Sequence, residues 1–174
     1  MQEVFVNKVA ESGIITIDLA SFLEKQSFAY FDIKEYLFMG LILKEKDFRA
    51  ALQQADFSIY KGKTVGVHCS ADAIIPMWAY MLIASYLQPM AKYVLFANET
   101  DLQEKALLHE LQLMLNAGEY TDERVVVKGC GDVAIPASAY LSITAALRPY
   151  AKSIMFGEPC STVPIYKKPK QPAV

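Results

Sequence analysis

Charge of one sign, cysteine, histidine and nucleotide-binding glycine motifs are all scarce in this chain, and each shortage narrows what it can do. Its 174 residues carry 17 Lys and Arg against 19 Asp and Glu, a formal charge of −2. So even a balance gives no electrostatic case for nucleic acid as a partner, because phosphate backbones are held by concentrated basic surfaces. There are three cysteines and two histidines. Three is an odd number, and Met1–Gly13 carries Glu3, Lys8 and Glu11 where a secretory leader would be apolar. The expectation is a cytoplasmic, reducing setting with free or metal-bound thiols. No Walker loop or G-x-G-x-x-G is present, Gly129-Cys130-Gly131-Asp132 being only a fragment of glycine-rich character. Ser70 and Ser161 lack the G-x-S-x-G elbow of a serine hydrolase.

One stretch imitates a membrane span: the 19 residues between Asp72 and Lys92 are uncharged. It contains Pro76 and Pro89, and its counterpart between Asp132 and Arg148 is shorter and richer in Ser, Thr and Ala. Both therefore read as buried helices covering a sheet, and no membrane partner is expected.

That counterpart belongs to an internal repeat. Val65–Asn98 reads VGVHCSADAIIPMWAYMLIASYLQPMAKYVLFAN, and Val125–Glu158 reads VVVKGCGDVAIPASAYLSITAALRPYAKSIMFGE. Aligned on Asp72 and Asp132, identities include Ile75/Ile135, Pro76/Pro136, Ala79/Ala139, Tyr80/Tyr140, Ile83/Ile143, Leu87/Leu147, Pro89/Pro149, Lys92/Lys152 and Phe96/Phe156. Composition alone would give roughly one or two matches. Each copy predicts a strand at a β-branched run, a loop, a helix opening at Pro76 or Pro136, a stop at Pro89 or Pro149, and a second strand ending at Phe96 or Phe156. Ala79, Ile83 and Leu87, with Ala139, Ile143 and Leu147, supply a helical core stripe. Strand–helix–strand units of this length are βαβ crossovers with parallel strands. The fold expected is a single α/β domain over 1–174: a mostly parallel open sheet with helices on both faces, built on a duplicated βαβ unit.

Residues 1–60 supply N-terminal strands and helices, with strands at Ile14–Leu19 and Phe28–Phe31 and mostly helical composition from Asp32 to Asp56, split near Gly40 and Lys44-Glu45-Lys46. Asp47 is a good N-cap for a helix over Phe48–Ala55. Residues 61–98 form the first copy, 99–118 a connecting amphipathic helix closed by Gly118, and 119–158 the second copy. Residues 159–174 read as a loop and tail.

Parallel strands bring their carboxyl ends to one edge, where ligands of open α/β sheets bind. His68 and Cys69 end the first repeat strand, Cys130 the third, and Cys160 follows the fourth. In a 2-1-3-4 strand order Cys69 and Cys130 would be ~5 Å apart. Three thiolates and an imidazole would hold zinc, and thiolates are the usual ligands of iron–sulfur clusters, so Cys69, Cys130, Cys160 and His68 are the candidate metal ligands. Alternatively Cys69 or Cys130 is a reactive thiol of an enzyme, or the cysteines are small buried hydrophobes. Asp72 and Asp132 either satisfy backbone amides at the starts of the repeat helices, or act as acid/base groups, or stand behind His68 as outer partners.

The strings Phe31-Asp32-Ile33-Lys34, Leu43-Lys44-Glu45-Lys46-Asp47-Phe48-Arg49, Cys69-Ser70-Ala71-Asp72-Ala73, Lys128-Gly129-Cys130-Gly131-Asp132 and Gly157-Glu158-Pro159-Cys160-Ser161-Thr162-Val163-Pro164 resemble a bacterial family, domain of unknown function 2480. The resemblance spans almost the whole chain and carries no established activity. It implies the company of iron–sulfur assembly components, which favours the metallocentre. The expected function is a metal- or iron–sulfur-binding accessory protein. A thiol-dependent enzyme and a non-catalytic homo-oligomeric interaction protein, its high apolar content serving the interface, are the alternatives.

Overall fold

The structure is a computed structural model, and it describes residues 7–9, 13–114, 117–129, 133–158 and 161–169. The chain gathers into two compact units, Gln26–Ala106 and the combination of Met1–Lys25 with Leu107–Val174. Among the described residues no helix is long and apolar enough to cross a membrane.

In Gln26–Ala106, strands β3 (Phe28–Asp32), β4 (Thr64–His68) and β5 (Tyr93–Phe96) form a parallel sheet in that order. Helix α3 (Met77–Leu87) makes the crossover from β4 to β5 and buries the stripe expected of it, Ala79, Ile83 and Leu87. The core also holds Phe31, Phe48, Leu52, Val65 and Val67. Helix α2 (Glu45–Gln54) contributes Phe48 and Leu52. β4, bonded on both sides, is buried from Thr64 to Val67, and the Thr64 hydroxyl donates to Gln26 Oε1 at 3.0 Å.

In the other unit, β1 (Asn7–Val9), β2 (Ile14–Asp18), β6 (Arg124–Lys128), β7 (Ser153–Glu158) and β8 (Ser161–Lys167) form a sheet in the order β1-β2-β6-β7-β8. Its inner pairs are parallel and its outer pairs antiparallel. Short α1 (Ala20–Glu24) follows β2, and α5 (Ala137–Leu147) connects β6 to β7 and buries Ala139, Ile143 and Leu147. Helix α4 (Leu102–Met114) carries the chain from the first unit into the second.

The α/β class and mostly parallel pairing are as expected, but the strands of the two repeat copies divide between two sheets. β4 and β6 are not neighbours; each is flanked instead by an N-terminal strand, β3 or β2. An apolar run such as Ile14–Ile17 or Phe28–Phe31 suits an interior position as well as an edge, and nothing in it names its partner. The registers match residue for residue. Phe28 opposes Thr64 and Asp32 opposes His68, as Ile14 opposes Arg124 and Asp18 opposes Lys128. Thr64 then opposes Tyr93, as Arg124 opposes Ser153.

Four local expectations are corrected. Pro76 and Pro136 are extended N-cap residues, one position before the helix proper. After a 3₁₀ turn at Ile33–Tyr36, residues 37–43 form a tight hairpin closed by Phe38 and Ile42, because Met39 and Gly40 take positive φ (52° and 72°) that no helix accommodates. It exposes Phe38, Met39, Leu41 and Ile42. Helix α2 begins at Glu45, so Asp47 lies within its first turn, where a carboxylate meets the positive helix end. Ser161–Lys167, expected as loop and tail, is a strand pairing with β7, in which Gly157 takes a φ of 116°.

Gly66, in the middle of β4, has a packing reason. A Cβ there would lie 2.7 Å from the Ala97 carbonyl oxygen and 3.2 Å from Leu102 Cδ2. The missing side chain lets the segment after β5 fold back over the sheet. Gly66→Ala is expected to cost about 1–3 kcal/mol of stability, read as a lower urea midpoint with an unchanged slope.

Candidate functional site

Asp32, His68 and Phe96 finish β3, β4 and β5, so the parallel sheet of Gln26–Ala106 delivers all three to one edge. A cavity of about 590 Å³ opens there. One side is the strand ends with Cys69, Ser70 and Tyr80; the other is the turn Asn98–Asp101 and Lys105 at the start of α4.

Asp32 organises the first side. Its Oδ1 accepts the amides of Lys34 (2.9 Å) and Ser70 (3.0 Å), and its Oδ2 accepts the Ser70 hydroxyl at 2.5 Å. Burial pushes the carboxyl up, but these hydrogen bonds, with a smaller attraction to His68, hold it below the ordinary 3.8. His68 Nε2 lies 3.8 Å from Asp32 Oδ2. His68 Nδ1 is buried and has no hydrogen-bond partner among the described residues, and Tyr30 meets the ring edge-on at 6.5 Å. Cys69 is a half-buried free thiol whose Sγ lies 3.6 Å from the Ala71 carbonyl oxygen. Burial raises the Tyr80 hydroxyl, and negative charge on Cys69 would raise it further.

On the other side, Asp101 Oδ1 accepts the Asn98 amide at 2.7 Å and Oδ2 pairs with Lys105 at 2.6 Å. Chiefly the Lys105 hydrogen bond holds Asp101 below its ordinary value, against the upward push of burial. Lys105 also donates to the Phe96 carbonyl at 2.7 Å, tying α4 to the end of β5.

The equivalent edge of the other sheet is chemically different. Lys128 stands in the His68 register position, with Asp18 Oδ2 at 3.1 Å and Glu158 Oε1 at 3.7 Å. Hydrogen bonding to Asp18 holds Lys128 above its ordinary value. Gly129 follows it where Cys69 follows His68, and a Cβ at Gly129 would collide with the Tyr140 hydroxyl. Tyr140 meets Phe156 edge-on at 5.6 Å, as Tyr80 meets Phe96 at 5.6 Å. Equivalent frames thus carry an open polar cavity in one unit and an ion-paired cluster in the other.

Of the sequence-predicted site, His68 and Cys69 line one cavity. Asp72 is exposed and outside the lining, and the carboxylate beside His68 is Asp32. Its signal was the shared ending of two strands, Ile17-Asp18 and Phe31-Asp32, each turning into a helix. Cys130, Asp132 and Cys160 lie outside the described residues. The strands that precede Cys69 and Cys130 belong to separate sheets, so the ~5 Å spacing of adjacent strands does not relate these two positions. Among the described residues no group of three His, Cys, Asp or Glu could hold a metal ion. Those residues supply a pair, imidazole and thiol, of the type that zinc and iron prefer.

A family model described as "Protein of unknown function (DUF2480)" matches residues 3–168, and the chain belongs to that family. No curated protein and no solved structure matches it.

Because Asp32 ionises more readily folded than unfolded, its contribution to stability is present above the unfolded value and is lost as pH falls through the lower folded one. Asp32→Asn is expected to cost about 1 kcal/mol at pH 7. That difference from the native protein should shrink below about pH 4, in urea titrations run at a series of pH values.

Proposed function

We propose that this DUF2480 protein is a cytoplasmic metal- or iron–sulfur-binding accessory protein whose ligands begin with His68 and Cys69. One observation carries the reading: His68 turns Nε2 toward the Asp32 carboxylate and leaves Nδ1 buried without a partner among the described residues. Metal-binding histidines are commonly held this way, one ring nitrogen against a carboxylate and the other on the ion. A buried nitrogen with no partner is otherwise costly. Cys69 lines the same cavity and would add a thiolate. Zinc or an iron–sulfur cluster is the proposed bound group; Cys130 and Cys160, the other expected ligands, lie outside the described residues. Iron–sulfur assembly components are the partners this role implies.

Two other readings have observations of their own. A thiol-dependent enzyme would use Cys69, which is free and lines a cavity large enough for a substrate. A homo-oligomeric interaction protein would use the exposed Phe38, Met39, Leu41, Ile42, Met77 and Met81. The first predicts rapid alkylation of Cys69 at neutral pH without a chelator, and the second a mass that rises with concentration in light scattering.

The metal reading predicts near-stoichiometric zinc or iron in protein purified without chelator or affinity metal. His68→Ala and Cys69→Ser variants should each lose it while remaining folded by circular dichroism. A metal-free native protein would overturn the reading.

A further inference from the structure

The cavity of about 590 Å³ is far larger than an ion needs and falls in the size range of small-molecule sites. Among the described residues its charged lining comprises three carboxylates, Asp32, Glu99 and Asp101, against one ammonium, Lys105. Lys105 is engaged by Asp101 and by the Phe96 carbonyl, and its ammonium lies 5.6 Å from the centre of the Phe96 ring, so among the described residues the lining has no uncommitted cation for an anion. Asp32 and Asp101 are likewise held by their own partners. Glu99 differs: it is exposed and makes no hydrogen bond or ion pair with any described residue. The same lining holds the ring of Phe96, 68% exposed although it finishes a sheet strand, with Tyr80 packed edge-on against it. A carboxylate with no partner among the described residues and an exposed aromatic ring, in one lining of net negative charge, match an alkylammonium: the charged head meets the carboxylate and the stem covers the ring.

The geometry points to a binding site for a small organic amine in this cavity, with Glu99 receiving the ammonium and Phe96 and Tyr80 receiving its hydrocarbon stem. The site goes beyond the metal reading and does not depend on it, since neither Glu99 nor Phe96 belongs to the proposed ligand set.

Calorimetric titration at pH 7 with n-butylamine and 1,4-diaminobutane, against butyrate, 1-butanol and inorganic phosphate, tests the site. Saturable binding of at least one amine is expected, with none for the three controls. Glu99→Gln and Phe96→Ala, both changes at exposed side chains, should each weaken binding about tenfold, the effect of losing one charge-assisted contact. Glu24→Gln, outside the cavity, should leave it unchanged. Absence of amine binding, equal binding in Glu99→Gln, or a preference for butyrate or phosphate would each overturn the proposal. Repeating the titration on chelator-treated native protein separates the two readings: amine binding should survive there, whatever the metal content before treatment.

Discussion

Parallel pairing on both sides of a buried central strand is the constraint from which the rest of each unit follows. β4 bonds to β3 and β5, and β6 to β2 and β7, so neither central strand can slip without breaking two ladders and turning its valines from the core. With register held, the residues that finish the strands meet in a set order: Asp32 opposite His68, and Asp18 opposite Lys128. Chemistry at each edge is therefore decided by which side chains occupy a few register positions, on frames that are otherwise alike.

The two edges show how far those few positions reach. The long Lys128 side chain spans to carboxylates on both flanking strands, and the Tyr140 hydroxyl fills the space beside Gly129. Partly exposed ion pairs of this kind contribute little individually, at most about 1 kcal/mol. Histidine at the corresponding place is too short to span in this way. It sits 3.8 Å from its carboxylate, keeps one nitrogen unpartnered, and is followed by a thiol. Unsatisfied groups of that sort are typical of places where local consistency gives way to function.

Much of this was legible in the residues, and the remainder was not for identifiable reasons. The repeat identified both βαβ crossovers and the helix stripes Ala79–Ile83–Leu87 and Ala139–Ile143–Leu147, because local periodicity and proline punctuation are written within a few turns of chain. It was silent on which strands become neighbours, since pairing is a property of two distant segments and both N-terminal strands have the same apolar character. His68 and Cys69 were found because strand ends of a parallel sheet share an edge. Asp32 was missed in favour of Asp72, which is nearer in sequence, because its approach to His68 depends on the β3–β4 pairing. The hairpin at 37–43 was hidden by helix-favouring composition, overridden by the backbone at Met39 and Gly40. Ser161–Lys167 was hidden by Pro164, a residue tolerated in an outer strand bonded on one side.

The insertion of Gln26–Ala106 between β2 and β6 separates two adjacent strands by about 110 residues of chain. During synthesis, which proceeds from the amino end at roughly 5–20 residues per second, all three strands of the inserted sheet emerge before Arg124 does. For several seconds β2 has no companion but β1, and its other flank offers unpaired amides and carbonyls to any strand within reach. The nascent chain is therefore most exposed to wrong pairing at Ile14–Ile17, far from the cavity, while the unit that holds His68 and Cys69 can already be assembled.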